Sequence, residues 1–111
     1  MPFTNDLPSV DPGSVPEDAY LLDVREPQEW QAGHAPDAVH IPLGTLAARA
    51  EEVPRDREVY VICRSGHRSG QAVTALNNAG WRTANVEGGM QAWAALGKPV
   101  VSETGAEPFI A

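Results

Sequence analysis

Val59-Tyr60-Val61-Ile62-Cys63-Arg64-Ser65-Gly66-His67-Arg68-Ser69 is the stretch from which the fold can be read. Val59 to Cys63 favour β structure and run without a polar break, the pattern of a strand buried on both faces, and they end at the chain's only cysteine. Arg64 to Ser69 are polar, cationic and hinged at Gly66. Gly70 to Leu76 then predict a helix, with Ser69 as its N-cap. Strand, tight loop and helix in that order put Cys63 at the carboxyl end of a buried strand, where open α/β sheets bind ligands.

Successive backbone N–H groups in such a loop, together with the free N–H groups of a helix start, converge on one point and favour negative charge there. A lone cysteine is commonly a small, inert core residue. Here Arg64 and Arg68, with His67 when protonated, tip the reading towards a thiol of depressed pKa that works as a thiolate.

The loop Cys63-Arg64-Ser65-Gly66-His67-Arg68 resembles the active-site loop of rhodanese-type sulfurtransferases. Leu21-Leu22-Asp23-Val24-Arg25-Glu26, followed by Glu29 to Pro42 with Trp30, Gly33, His34 and Pro36, resembles that family's amino-terminal signature, and Val86 to Trp93 its carboxyl-terminal one. The likeness runs in order from Tyr20 to Pro99, which makes it more specific than any single motif. It implies a sulfur carrier at Cys63, a substrate-binding loop of Arg64, Ser65, Gly66, His67, Arg68 and Ser69, and a supporting role for Asp23 and Arg25. Taken residue by residue, Asp23 and Arg25 read as an ion pair anchoring strand ends rather than as groups of the chemistry.

Length and composition bound the answer independently. A chain of 111 residues is expected to form a single domain over 1–111, with a core over 8–99 and a tail over 100–111. With 42% hydrophobic and 21% charged residues it reads as an ordinary soluble protein. The net charge of −7 argues against nucleic acid or an anionic membrane as partner, since both are bound by basic patches. A single cysteine excludes an internal disulfide and a resolving thiol, so any sulfur taken up must leave to an external acceptor. No basic patch followed by an apolar stretch opens the chain, which is expected to be cytoplasmic. His34, His40 and His67 lack a second cysteine or a carboxylate at ligand spacing, so neither a metal nor a cofactor is expected.

Strands alternating with short helices predict an α/β fold, three layers with a mostly parallel sheet of about five strands. The predicted strands are Pro8 to Val10 at an edge, Tyr20 to Val24, Ala38 to Ile41, Val59 to Cys63 and Thr83 to Val86, with Asp11-Pro12-Gly13 as a turn. Predicted helices are Glu26 to Gly33, with Pro27 in the first turn, Gly33 as the stop and Trp30 in the core; Leu43 to Val53; Gly70 to Asn78; and one opened by Glu87-Gly88-Gly89 that buries Trp93 and Leu96. The glycine pair points to a close backbone approach beside the Cys63 loop. His34 is read as hydrogen-bonded to backbone in a turn, and Arg55-Asp56-Arg57 as solvated. Lys98 to Ala111 have no periodicity and read as a tail that is loosely packed on the surface or disordered, or otherwise as a contact with a twin subunit.

The expected chemistry is ping-pong transfer of a sulfane sulfur from a small anionic donor such as thiosulfate to cyanide, a thiol or a protein acceptor, with Arg64 and Arg68 orienting the donor. Two alternatives remain. One is a non-catalytic sensor or scaffold module of the same fold. The other is a phosphatase or arsenate reductase, against which stands loop length: four residues separate Cys63 from Arg68, where the related phosphatase families have five. A smaller cradle suits one sulfur atom better than a tetrahedral phosphate.

Overall fold

The computed structural model describes residues 7–111. Five strands form one wholly parallel sheet: β1 (Ser9–Val10), β2 (Tyr20–Asp23), β3 (Val39–His40), β4 (Val59–Ile62) and β5 (Thr83–Val86), in the order β1-β5-β4-β2-β3. Four helices cover it: α1 (Pro27–Ala32), α2 (Leu43–Arg49), α3 (His67–Asn78) and α4 (Gly89–Ala95).

The unbroken apolar run that ends at Cys63 is explained by two cores, one on each face of β4. Because successive strand residues point to opposite faces, Val59, Val61 and Cys63 enter one cluster with Leu22, Leu46, Val73, Leu76 and Trp81, while Ile62 enters the other with Leu21, Val86, Met90 and Trp93. Parallel registration then brings the carboxyl ends of three strands to one edge: Asp23 lies opposite Ile62, and Val61 opposite Asn85. The Cys63 loop starts from that edge.

Several boundaries differ from the sequence expectation, each for a local reason. The helix after the loop begins at His67, ahead of the expected Gly70, because Gly66 adopts a left-handed φ of 107° and turns the chain into the helix early. Ser69 is therefore not the N-cap; it lies in the first turn, fully buried. Asp11-Pro12-Gly13 is part of a 3₁₀ turn, Pro12–Ser14, whose cap Asp11 accepts the Ser14 N–H at 3.1 Å. The predicted helix 43–53 is α2 followed by a 3₁₀ turn, Ala50–Glu52. Leu96 lies beyond α4 and is 58% exposed, so Met90 and Trp93 alone bury that helix's inner face. Arg55 is more than solvated: it stacks over Trp81 at 3.5 Å and donates to the Ala79 carbonyl at 3.0 Å.

The loosely packed tail is likewise corrected. Val101 and His34 exchange two backbone hydrogen bonds of 2.9 Å in an antiparallel bridge, the Glu103 N–H reaches the Gln31 carbonyl at 2.9 Å, and the Phe109 N–H reaches the Ala32 carbonyl at 3.0 Å. Ile110 packs against the Trp93 cluster. These are mostly backbone bonds, which any side chain permits, so no periodicity announces them. Gly33 is extended (φ 179°), and it needs to be glycine for space: a Cβ there would fall on the Phe109 carbonyl. Among the described residues no helix is long and apolar enough to cross a membrane.

Candidate active site

Cys63 follows β4 directly and is 1% exposed. Its sulfur accepts the Gly66 N–H at 3.1 Å and faces the Ser69 hydroxyl at 3.2 Å. Burial pushes the thiol pKa up. The Ser69 hydroxyl and the backbone N–H groups of Ser69, Gly66 and Ser65 stabilise the thiolate and outweigh burial, leaving the pKa below its ordinary value.

The depression expected from sequence is thus present, but its source differs from the one expected. Arg68 forks onto Glu29, with Nη1 to Oε1 at 2.7 Å and Nη2 to Oε2 at 2.8 Å. The Arg64 Nε donates to the Ala111 oxygen at 2.9 Å. His67 is exposed and lines a groove with Leu7, Gly70 and Thr74. The thiolate is stabilised by hydrogen bonds from the loop backbone and Ser69, while the two arginines make theirs to Ala111 and Glu29.

Ser69 Oγ also lies 2.5 Å from Asn85 Oδ1, and Asn85 is oriented by its Nδ2, which donates to the Gly66 carbonyl at 3.2 Å. One hydroxyl proton serves two acceptors. When Cys63 is a thiol, Ser69 donates to Asn85 and can accept the S–H; when Cys63 is a thiolate, the hydroxyl can turn to the sulfur. Ser69→Ala is expected to raise the Cys63 pKa by about one unit, the scale of one hydrogen bond to a charged group, and to slow alkylation below that pKa. The pH profile of iodoacetamide labelling measures this; an unmoved midpoint would show that the backbone alone holds the thiolate.

The opposite wall of the loop is α4. Met90 N–H donates to the Cys63 carbonyl at 2.8 Å and Gln91 N–H to the Arg64 carbonyl at 3.0 Å. Gly89 has φ 56°, and a Cβ there would fall on the Cys63 carbonyl and lie 2.6 Å from the Arg64 carbonyl carbon. The glycine pair thus provides the close approach that its sequence suggested.

Asp23 and Arg25 lie behind this edge, both fully buried. Asp23 Oδ1 accepts the Arg25 N–H and Nε, both at 3.0 Å, Oδ2 accepts Nη2 at 2.8 Å, and Nη2 also donates to the Gly33 carbonyl at 2.7 Å. The pair ties the end of β2 to the end of α1. His34 sets its ring nitrogens against the Ala35 carbonyl at 2.8 Å and Glu103 Oε2 at 2.7 Å, which joins α1's exit to the tail. Trp30, expected in the core, is only half-buried; its ring stacks on His34 at 3.5 Å and on His40 at 4.8 Å.

Sequence reasoning assigned no role at the site to Glu29 or Asn85. Asn85 carried a usable signal, an amide between Ala84 and Val86 in a fully buried strand. Surface cavities of about 350 Å³, beside Leu21 and Trp93, and about 590 Å³, beside Leu7 and Val73, lie apart from the sulfur; only His67 is common to the loop and the second.

Comparison with known proteins gives the family and the fold. A family described as Rhodanese-like domain matches residues 11–96. The chain is 46% identical over 83 residues to a putative sulfurtransferase, YtwF, of Bacillus subtilis, covering 75% of this chain and 81% of that protein. It is 43% identical over 90 residues to a sulfurtransferase of Allochromatium vinosum, covering 80% and 84% respectively. The crystal structure of a rhodanese-related protein from Thermoplasma volcanium superposes with a TM-score of 0.80 at 36% identity, covering 85% of this chain and 97% of that one.

Proposed function

The chain belongs to the rhodanese-like family, and from that premise we propose that it is a sulfurtransferase whose sulfur carrier is Cys63. The supporting observation is the cradle itself: a buried cysteine with Gly66 N–H and the Ser69 hydroxyl on its sulfur. The thiolate attacks the outer sulfur of thiosulfate or a related donor. A Cys63–sulfur bond forms, the donor's S–S bond breaks, and sulfite leaves with the bonding pair. The persulfide then gives its terminal sulfur to cyanide, a thiol or a protein acceptor, and the Cys63 thiolate returns.

In this reading the backbone N–H groups between Arg64 and Ser69 stabilise the negative terminal sulfur, in the manner of an oxyanion hole. Asp23 and Arg25 support the loop from behind without touching the reacting atoms. An acidic chain with one free cysteine suits a reducing cytoplasm. The phosphatase reading is weakened further by Arg68, whose guanidinium fork is occupied by Glu29 and does not face an incoming phosphate.

Assayed on one preparation, thiosulfate and cyanide are expected to yield thiocyanate, and p-nitrophenyl phosphate is expected to remain intact. Phosphate release without thiocyanate would reverse the assignment, and the absence of both would favour a sensor or scaffold module. Inserting one glycine after Gly66 tests the cradle's size. Widening the turn misaligns its N–H groups, so sulfur transfer is expected to fall about a hundredfold in a protein that still folds, the scale of losing one such donor. Thiocyanate formation at the parent rate in a folded insertion variant would remove loop length from the argument.

A further inference from the structure

The loop's best-placed cation is already paired. Arg68 sets both terminal nitrogens on the Glu29 carboxylate at 2.7 and 2.8 Å, the fork geometry in which guanidinium and carboxylate bind most strongly. Helix α1 in turn fixes Glu29, whose Oε1 also accepts the Glu26 N–H at 2.9 Å in a capping box. Only 14% of the Glu29 side chain and 31% of that of Arg68 are exposed, so water screens the pair less than it does a surface pair. The remaining charges around it reinforce the arrangement. Arg25 faces Glu29 from the end of β2, while Glu26 and the Cys63 thiolate act on Arg68. The Arg68 hydrogen bond holds the Glu29 carboxyl at about 2, below its ordinary value, so it remains ionised throughout the neutral range.

An incoming donor therefore meets a site whose nearest guanidinium is neutralised, beside Arg64 engaged with Ala111, on a chain of net charge −7. The backbone cradle can hold one negative sulfur. Arg68, the guanidinium on which the Cys63 thiolate acts, has no fork free for a second charge. We infer that Glu29 is a specificity-determining residue: by occupying the fork of Arg68 it selects donors of low charge, such as thiosulfonates and persulfides, over dianionic thiosulfate.

This inference rests on the sulfurtransferase reading, and the experiment separates the two. Methanethiosulfonate and thiosulfate pass the same sulfane sulfur to a thiolate, releasing methanesulfinate and sulfite respectively, and differ by one negative charge. The parent protein is expected to favour methanethiosulfonate. In Glu29→Gln the amide oxygen can still accept the Glu26 N–H, while the negative charge and one of the two bonds that hold the Arg68 fork are lost. Its KM for thiosulfate is then expected to fall on the order of tenfold, the size of one charge-assisted hydrogen bond, with kcat and the KM for methanethiosulfonate little changed.

Arg68→Gln, which leaves the Glu29 charge beside the site, is expected to shift the preference further towards methanethiosulfonate. In the Glu29→Gln/Arg68→Gln double variant the gain is expected to vanish. Protection of Cys63 from iodoacetamide by inorganic sulfate gives a readout independent of turnover, expected in Glu29→Gln and absent in the parent. If folded Glu29→Gln shows the parent's donor preference and no sulfate protection, Glu29 merely tethers the loop and the inference fails. If Glu29→Gln does not fold, an unmoved donor ratio in Arg68→Gln overturns it instead. Failure of the parent to load sulfur from either donor overturns the sulfurtransferase reading, and the selectivity with it.

Discussion

After incubation with thiosulfate and desalting, the intact protein is expected to gain the mass of one sulfur atom, and Cys63→Ser none. Cys63 is the only cysteine, and the thioethers of Met1 and Met90 cannot form a persulfide. Cyanide is then expected to remove the added mass and to yield an equal amount of thiocyanate, since a ping-pong carrier returns to its free thiolate. In Cys63→Ser the Gly66 N–H and the Ser69 hydroxyl still have an oxygen to meet, so the loop keeps its shape. A serine hydroxyl is scarcely ionised at neutral pH and carries no sulfane sulfur. Turnover is therefore expected to fall by about a thousandfold or more, the range seen when a nucleophile is removed from an intact site. Thiocyanate formation by folded Cys63→Ser at anything near the parent rate would refute the mechanism.

The largest expected loss of stability lies in the buried pair behind the loop. Asp23→Asn keeps the shape of the side chain but removes the charge that faces Arg25, leaving a guanidinium at 0% exposure whose Nη1 has no hydrogen-bond partner among the described residues. Breaking one partner of a buried pair costs about 3–5 kcal/mol. For a domain of this size that corresponds to a fall in Tm of roughly 10–20 °C. Replacing both residues, as in Asp23→Leu/Arg25→Met, removes the stranded charge and is expected to recover a large part of the loss. Thermal unfolding followed by circular dichroism reads both variants. Sulfur loading of Asp23→Asn, measured well below its melting temperature, is expected to persist, because neither side chain reaches the sulfur. A variant that melts like the parent but cannot be loaded would move Asp23 from anchoring into the chemistry.

The parts of this protein that were legible in its sequence are those governed by local periodicity and by residue type. Val59 to Cys63 announced a doubly buried strand because both of its faces are apolar, and the two clusters either side of β4 are the reason. Gly66 announced a hinge in the loop, though not that the helix starts directly after it, and Gly88-Gly89 announced a close backbone approach; both depend on the missing Cβ, which is a property of the residue itself. The placement of Cys63 was legible for a similar reason, since it is the only thiol and sits where a strand ends.

What only the tertiary structure decided is which partner each polar side chain takes. Arg68 was read as facing a donor because the loop alone was in view; Glu29, 39 positions earlier, reaches it only when β2 and β4 pair in parallel and bring α1 to the loop. Asn85 reaches Ser69 through the registry of β5 on β4, and His34 reaches Glu103 across 69 positions once the tail folds back. Arginine, asparagine and histidine each have several possible partners, and sequence spacing does not rank partners on different elements. The rank is set by distance and burial, which exist only after the sheet has assembled.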